Sequence, residues 1–303
     1  MDMSKKKKLA ALFLLSLMLF SMGCSKEEEI VEEEVQIEKE AEKLVIEEEK
    51  QQEVQPQPAV EEPTPLTNLQ GEIEGMLQPG IQSQETWAVY LKDLMTDEMV
   101  EISNTKMQSA SLIKLFIAGT VYENWEILKA GESFDGETEE LLRNMLTISD
   151  NDATNTLIQR IGEGNNVVGF ERINAYLLKY GYENTHIGRV MLDLNASDDN
   201  YTSVKDCGLF LEKIYKNEIP GSEFILDCLK NQERRNKIPS GLPEGSVSAN
   251  KTGELDRVEN DVAIIWKGEK AYVICVMSSN LQDSTTAQKR IADISSMVYG
   301  AWE

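Results

Sequence analysis

The amino-acid sequence predicts an α+β domain, in which one antiparallel sheet is flanked by an N-terminal and a C-terminal helix and carries an all-α lobe. Two stretches with the pattern of a β-hairpin lie near the two ends of the domain, and the residues between them show helical periodicity instead. One further amphipathic helix is predicted on the outer side of each hairpin. A middle region poor in strands and rich in helices, between two hairpins, therefore predicts an α+β domain.

The first hairpin is predicted from residues 87–91 and 99–102, which alternate on either side of a turn at residues 96–97. The helix before it is predicted to have Thr67 as its N-cap and one apolar stripe. That stripe consists of Leu69, Ile73 and Met76.

The residues between the hairpins predict a lobe made of helices, because apolar side chains recur there at helical spacing. The predicted helical stretches are 112–123, 137–147, 152–161, 168–179, 204–216 and 222–231.

The second hairpin is predicted from residues 262–266 and 272–276, joined by a polar turn at residues 267–269. The helix after it is predicted from one apolar stripe that would cover a face of the sheet. The stripe consists of Ile291, Ile294 and Val298.

Residues 1–23 predict an export signal. Four lysines at positions 5–8 precede an apolar run at residues 9–22, and Gly23 follows. The run is too short to span a bilayer as a helix. Cys24 comes next, as in a bacterial lipoprotein processing site, where the cysteine becomes the lipidated N-terminus; the alternative is an ordinary secretory signal. Either alternative predicts an exported protein, and lipidation places it on the outer face of the cell membrane.

Residues 24–66 form an acidic segment with 15 Glu, 4 Lys and no Asp. Such a composition buries too little apolar surface to offset the entropy of ordering, so a disordered stalk is predicted. Residues 67–303 then form a single domain, and the net charge of the whole chain is −23. Because negative charge repels phosphate groups, nucleic acid is not expected as a partner.

The domain contains three cysteines, Cys207, Cys228 and Cys275, and the chain contains one histidine. An odd number of cysteines without regular spacing does not predict a disulfide scaffold, and pairing of Cys207 with Cys228 is left open. No Cys/His spacing predicts a metal site, and no cofactor is implied.

Three short motifs carry the predicted chemistry: Ser111-Leu112-Ile113-Lys114, Ser149-Asp150-Asn151 and Lys251-Thr252-Gly253. Ser109 is a suitable N-cap, which would place Ser111 in the first turn of a helix and Lys114 on the same face. The second motif falls in a loop between two lobe helices, and the third begins a strand. Motifs from a helix, a loop and a strand can meet in a cleft between lobe and sheet.

Ser111 is the predicted nucleophile and Lys114 its predicted base. A serine hydroxyl needs a nearby base, and the single histidine, His186, lies in a loop of a chain without a G-x-S-x-G motif. A lysine can act as a base when burial and a neighbouring cation lower its pKa, and Lys251 is a candidate for that cation.

The remaining motif residues receive supporting roles. Ser149 would pass a proton to the leaving nitrogen, and Asn151 would orient the substrate or Lys114. The N–H groups of Ser111 and Glu254 would form an oxyanion hole. Residues 251–253 would bind substrate, with Lys251 and Thr252 holding a carboxylate. Taken singly, each motif also fits a purely structural role as a capped helix, a turn or a strand start.

The order S-x-x-K, S-D-N, K-T-G resembles the signature of class A β-lactamases and penicillin-binding proteins. Residues 149–155 are similar to the start of a helix in that family, and residues 259–265 to the strand after K-T-G. The resemblance implies the β-lactamase/transpeptidase-like form of the predicted fold. It also implies acylation of Ser111 by a β-lactam or an acyl-D-Ala-D-Ala peptide.

One departure from the family bears on turnover. β-Lactamases carry a loop R-x-E-x-x-L-N, whose glutamate activates the deacylating water; here the loop begins at Arg189 and has Met191 in the glutamate position. Asp193 and Asn195 are the candidates for a substitute role. The family's arginine just before Asn-Asp is replaced by Glu259. Acylation chemistry is therefore predicted to be intact, and efficient deacylation is not.

The sequence leaves several functions open. The leading prediction is an exported, lipid-anchored serine acyl-enzyme that resembles class A β-lactamases and deacylates slowly. The alternatives are a D,D-carboxypeptidase or penicillin-binding protein of cell-wall metabolism, another amidase or esterase on the same scaffold, and a wall-binding module with vestigial catalysis. The expected partners are a β-lactam or peptidoglycan stem peptide and the membrane that holds the lipid.

The export signal generates a test. We expect the native protein to partition with membranes through lipid on Cys24, and Cys24→Ser to be released or misprocessed. Fractionation of cells combined with mass spectrometry of the N-terminus measures both. Unmodified wild-type protein in the medium would contradict lipidation.

Overall fold

The computed structural model describes residues 65–302. The predicted signal peptide, Cys24 and almost all of the predicted stalk lie outside these residues. Within residues 65–302, no helix combines the length and apolar character needed to cross a membrane.

A five-stranded antiparallel sheet forms the centre of the domain. Both predicted hairpins are present. The first strand of the first hairpin pairs with the last strand of the second hairpin, which joins the two into one sheet. The strands are β1 (Thr86–Asp93), β2 (Met99–Ile102), β5 (Val247–Leu255), β6 (Val258–Lys267) and β7 (Lys270–Ser279). Their order is β2-β1-β7-β6-β5, so β5 lies at an edge. A separate two-stranded pair joins β3 (Met107–Gln108) to β4 (Tyr201–Thr202).

Helices α1 (Pro65–Gln82) and α9 (Ser284–Ala301) cover one face of the sheet, as predicted. Their buried side chains pack on the strands because each helix has one apolar stripe. Helix α1 begins two residues before Thr67, so the prediction of Thr67 as N-cap is wrong. Proline suits the first turn of a helix, where its missing N–H has no partner to lose.

The helical lobe packs on the other face of the sheet. The six predicted stretches are all helical; they are α2 (Ile113–Glu123), α4 (Glu137–Thr147), α5 (Asn151–Ile161), α6 (Asn166–Tyr180), α7 (Val204–Tyr215) and α8 (Ser222–Lys230). Sequence analysis missed helix α3 (Trp125–Ala130) and a 3₁₀ turn (Ile238–Gly241), which are too short to show periodicity.

Strand β5 begins at Val247, so the prediction that Lys251 begins this strand is wrong. The first half of β5 is hidden in the sequence because Ser248 and Asn250 interrupt the apolar pattern. Both are nevertheless buried, since Ser248 accepts a hydrogen bond from Arg235 (2.7 Å) and Asn250 donates one to Asp261 (3.1 Å).

The thiols of Cys207, Cys228 and Cys275 are buried and free. Burial raises their pKa, to about 12 for Cys228. The pairing of Cys207 with Cys228 that the sequence left open is not formed in the structure.

Candidate active site

Ser111 lies in a 3₁₀ turn (Ala110–Leu112) that leads directly into α2. The predicted cap is wrong, because Ser109 has helical backbone angles and its hydroxyl donates to the carbonyl of Ala110 (3.2 Å) instead of capping the turn. Ala110 has a left-handed φ of 47°. The chain thus turns sharply before Ser111, which is half-buried. Ser109, by contrast, is fully buried.

The segment before Ser111 is held against the sheet. The amide of Asn260 on β6 donates to the carbonyls of Gln108 (3.0 Å) and Ser109 (3.4 Å). On the other side, the N–H of Ser109 donates to the carbonyl of Asn200 (2.9 Å). Ser111, the predicted nucleophile, therefore follows backbone that is fixed from both sides.

Gly253 allows the edge strand to approach the backbone of Ser109 and Ser111. A Cβ at this position would lie 2.7 Å from the carbonyl oxygen of Ser109 and 3.2 Å from the amide nitrogen of Ser111. Any larger residue would push β5 away. The backbone of β5 thus runs beside the Ser111 amide, as the predicted oxyanion hole with Glu254 requires; that assignment stays a prediction.

Lys114, in the first turn of α2, is fully buried. Its ammonium group donates to the Ser149 carbonyl (2.7 Å) and to Oδ1 of Asn151 (2.8 Å), and lies 3.3 Å from the Ser149 hydroxyl. Residues of the first two motifs therefore meet directly, as predicted.

The S-D-N loop holds its own shape. Ser149 has a left-handed φ of 62°, and Asp150 caps α5 by accepting a hydrogen bond from the N–H of Ala153 (2.6 Å). The cap fixes where α5 begins, and with it the position of Asn151. The turn leaves the Ser149 hydroxyl facing Lys114 on one side and the third motif on the other.

Lys251 completes the cluster from β5. Its buried ammonium group donates to the Ser149 hydroxyl (2.9 Å) and to the carbonyl of Thr252 (3.0 Å). The Ser149 hydroxyl therefore lies between two lysine side chains. This row of hydrogen-bonding groups is suited to proton transfer.

The pKa of Lys114 is lowered to about 7, mainly by burial; the charge of Asp150 opposes the shift and the positive charge of Arg234 adds to it. Burial also lowers the pKa of Lys251, with repulsion from Lys114 and Arg234 adding to it. The sequence proposed Lys251 as the cation acting on Lys114. In the structure the two buried lysines repel each other when both are charged, and Arg234 adds a second positive charge that acts on both.

Sequence analysis missed the segment that carries Arg234. The buried amide of Gln232 donates to the carbonyl of Leu146 (2.6 Å), and the N–H of Glu233 donates to that of Thr147 (3.0 Å). These bonds dock the segment on the end of α4, next to the S-D-N loop. The one available signal was a dense run of charge at residues 233–237, which resembles an ordinary solvated loop.

The loop that begins at Arg189 is clamped to the lobe. The side chain of Asn155 accepts from the N–H of Met191 (2.7 Å) and donates to its carbonyl (3.2 Å). The Met191 side chain is buried in the core of the lobe. Asp193 accepts a hydrogen bond from the N–H of Asn195 (3.0 Å) and lines a cavity of about 410 Å³.

Several other polar residues of the domain lie outside the cluster. His186 pairs with Asp198 (2.7 Å) and makes no contact with Ser111 or Lys114 in the described residues. Arg257 donates to the backbone carbonyls of residues 280 and 281. Glu259 forms a buried ion pair with Lys237 (2.7 Å). Within residues 65–302, no group of His, Cys, Asp and Glu is arranged to hold a metal ion.

Comparison with known sequences finds one family model, described as the beta-lactamase enzyme family, which matches residues 129–302. The matched range includes S-D-N and K-T-G and begins after S-x-x-K. A beta-lactamase of Citrobacter koseri is 31% identical over 146 residues, which are 45% of this chain and 48% of the relative. The chain thus spans about half the length of the curated relative it matches.

Solved structures share the whole fold. PBP-A, solved as a leucine-to-glutamate mutant in an acyl-enzyme complex with penicillin G, is 26% identical, with a TM-score of 0.68 over 79% of this chain and 97% of that chain. An ancestral class A β-lactamase is 21% identical, with a TM-score of 0.66 over 77% and 100%. A β-lactamase of Sphaerobacter thermophilus is 21% identical, with a TM-score of 0.65 over 76% and 97%. The resemblance and the fold class predicted from the sequence are confirmed.

The lowered pKa of Lys114 generates a prediction about pH. Because only the neutral amine can accept the proton of Ser111, we expect acylation by a β-lactam to be slow below pH 6 and to rise through a midpoint near 7. Lys114→Ala should slow acylation about 10²-fold or more, as expected for loss of a positioned base. Stopped-flow measurement of acylation across this pH range tests both.

His186→Ala is the matched control, because histidine is the side chain that most often acts as a general base. It should leave the rate and the midpoint unchanged. A midpoint that disappears in His186→Ala and persists in Lys114→Ala would reverse the assignment.

Proposed function

The chain belongs to the beta-lactamase enzyme family, and from this premise we propose that it is a serine acyl-enzyme that attacks β-lactam or acyl-D-Ala-D-Ala amide bonds through Ser111 and is deacylated slowly. The observation that carries the proposal is the buried cluster of Lys114, Ser149 and Lys251 next to the 3₁₀ turn of Ser111. The acyl-enzyme of the PBP-A mutant with penicillin G supports the same chemistry for a chain of similar fold.

In the proposed acylation, Lys114 takes the hydroxyl proton of Ser111 while its oxygen attacks the substrate carbonyl. A pKa of about 7 makes a substantial fraction of Lys114 neutral at neutral pH. The backbone N–H groups of Ser111 and Glu254 stabilise the charge that develops on the carbonyl oxygen. The bond from carbonyl carbon to nitrogen then breaks, and the proton passes from Lys114 through the Ser149 hydroxyl to the leaving nitrogen.

Asn151 and Lys251 position these groups. The amide oxygen of Asn151 accepts from Lys114 (2.8 Å) and directs its lone pair when the amine is neutral. Lys251 donates to Ser149 (2.9 Å), which leaves the serine hydrogen free to point at the leaving group. Lys251 and Thr252 would hold the substrate carboxylate at the edge of the sheet, beside Gly253.

Slow deacylation is supported by Met191. A thioether cannot take a proton from water, and this side chain is packed in the lobe core. Asp193 has one carboxylate oxygen engaged with the N–H of Asn195. The same observation favours a D,D-carboxypeptidase or penicillin-binding protein as the second candidate function, since such proteins need acylation more than rapid hydrolysis of a penicillin.

We also propose that the protein is exported and held by lipid on Cys24 at the outer face of the membrane. The signal sequence and the acidic composition of residues 24–66 support this. A solvated stalk would let an anchored domain reach cell-wall polymer at a distance from the bilayer.

The first test of the proposed function is a covalent adduct. Incubation with penicillin G should add the mass of one penicillin to Ser111, detected by mass spectrometry of the intact protein and of its peptides. Ser111→Ala should remove the adduct, because it removes the hydroxyl that is proposed to attack the penicillin. Ser109→Ala is the matched control and should keep it, since the Ser109 hydroxyl is buried and bonded to Ala110. An adduct that survives in Ser111→Ala would refute the nucleophile.

The second test concerns the lifetime of that adduct. Because loss of a general base slows its step about 10²–10⁴-fold, we expect a long-lived penicilloyl-enzyme and feeble steady-state turnover. Single-turnover and steady-state hydrolysis of a chromogenic β-lactam measure the two steps separately. Asp193→Asn should leave deacylation unchanged, as should the control Asp198→Asn in the same cavity. Rapid turnover that Asp193→Asn abolishes would show instead that Asp193 replaces the glutamate.

A further inference from the structure

Asn250, the residue before K-T-G on β5, joins the edge strand to the segment that carries Arg234. Its side chain is fully buried, and its amide nitrogen donates to the backbone carbonyl of Arg234 (3.2 Å) and to Oδ1 of Asp261 (3.1 Å). Its amide oxygen accepts no hydrogen bond from the described residues. A buried amide with one unpaired end costs stability, so the two donated bonds are what this side chain contributes.

The carboxylate of Asp261 holds the other end of the same segment. It is fully buried on β6, and its Oδ2 accepts a hydrogen bond from the N–H of Ile238 (2.9 Å). Asn250 and Asp261 therefore hold residues 234–238 at both ends. The hydrogen bond between the two side chains joins these contacts into one buried connection.

The backbone of Arg234 is held from two directions. Its N–H donates to Oε1 of Gln232 (3.0 Å), whose own amide is docked on the end of α4, and its carbonyl accepts from Asn250. The first contact connects Arg234 to the lobe, and the second connects it to the strand that carries K-T-G. The guanidinium is half exposed and lies 3.4 Å from the carboxylate of Glu254. The side chain of Arg234 thus extends from a fixed point beside the cluster.

The position of Arg234 matters because its charge acts on Lys114 and Lys251. The charged groups that face Lys114 are Lys251 from β5, Arg234 from the segment and Asp150 from the S-D-N loop. Glu254 faces Arg234 from the end of β5. A nearby positive charge disfavours the ammonium form of a lysine. Lys114 therefore becomes neutral at a lower pH when Arg234 is held close to it.

We propose that Asn250 is a positioning residue: its amide fixes Arg234 beside the two buried lysines and so determines the pH above which Lys114 can accept the proton of Ser111. The proposal rests on the proposed function, and it names what regulates the base of that site. Among the described residues, the Asn250 side chain makes no hydrogen bond to Ser111 or Lys114, so it acts through Arg234. Without the amide, the segment loses its contact with β5 at Arg234, and the half-exposed guanidinium moves towards solvent.

The test is the pH dependence of acylation of the full chain by a chromogenic β-lactam, measured by stopped flow. Asn250→Ala should raise the midpoint by about half a pH unit, because the charge of Arg234 then acts on Lys114 from a greater distance. At pH 6 the rate should fall about threefold, the factor that corresponds to half a pH unit. The rate on the alkaline plateau should not change. A loss of equal size at every pH, or an unchanged midpoint, would overturn the proposal.

Arg234→Gln tests whether Asn250 acts through Arg234. Because this variant removes the charge itself, it should raise the midpoint by a similar amount, about half a pH unit. Addition of Asn250→Ala to Arg234→Gln should then shift the midpoint no further, since no charge remains to be positioned. An equal shift in the two backgrounds would overturn the proposal.

Ser248→Ala is the matched control. Ser248 is another buried polar residue of β5, and it accepts a hydrogen bond from Arg235, the neighbour of Arg234 (2.7 Å). The variant removes one contact of the same segment and leaves the bond to the Arg234 carbonyl, so the midpoint should stay. A shift as large as that of Asn250→Ala would overturn the proposal. Asn250→Ser is a second variant, too short to reach both acceptors, and thermal unfolding shows which variants are folded.

A direct titration separates this inference from the proposed function. NMR of isotope-labelled lysine side chains reports the protonation of Lys114 without any substrate, and its peak is identified by its absence from Lys114→Ala. The midpoint should be about 7 in the wild-type protein and about half a pH unit higher in Asn250→Ala. If wild-type protein forms no Ser111 adduct, the proposed function fails, and the titration still decides whether Asn250 acts on Lys114. Equal midpoints would overturn the inference.

Discussion

The site depends on one physical constraint: two lysine ammonium groups are buried around a single serine hydroxyl. Taking an ammonium group out of water costs several kcal/mol, which is recovered only where acceptors surround it or where the group gives up its proton. Lys114 does both, with acceptors on Ser149 and Asn151 and a pKa of about 7. The burial that makes a charged Lys114 costly is also the main cause of its lowered pKa.

That constraint explains why lobe and sheet must pack closely. The cluster draws Lys114 and Ser149 from the lobe and Lys251 from the edge strand, so the bonds form only when the two layers meet. Gly253 permits the approach by having no side chain where the Ser109 carbonyl lies. Asn260 completes it by tying the backbone before Ser111 to β6. Residues outside the cluster thus determine the geometry of the residues within it.

Charged residues of an irregular segment outside the cluster influence the pKa values of its lysines. Residues 232–238 dock on the end of α4 through Gln232 and bring Arg234 within electrostatic reach of both lysines. The same segment supplies Lys237, which pairs with two carboxylates of the sheet. The pKa values of the two buried lysines and the charge at the edge of the sheet are therefore both influenced by a single loop, although the loop has no recognisable motif.

The sequence by itself determined the hairpins, the helices and the three motifs whose residues meet beside the sheet, because period-two and helical patterns are local and the three motifs stand in a known order. It also identified the absence of a glutamate at Met191. It misplaced the starts of α1 and β5 and the cap at Ser109, where proline chemistry and buried polar pairs replace the usual signals. Only the tertiary structure showed that Arg234, from a segment without a motif, lies within electrostatic reach of both Lys114 and Lys251. The physical reason is that Coulomb forces act between residues far apart in the chain, and no local pattern records which charges folding brings together.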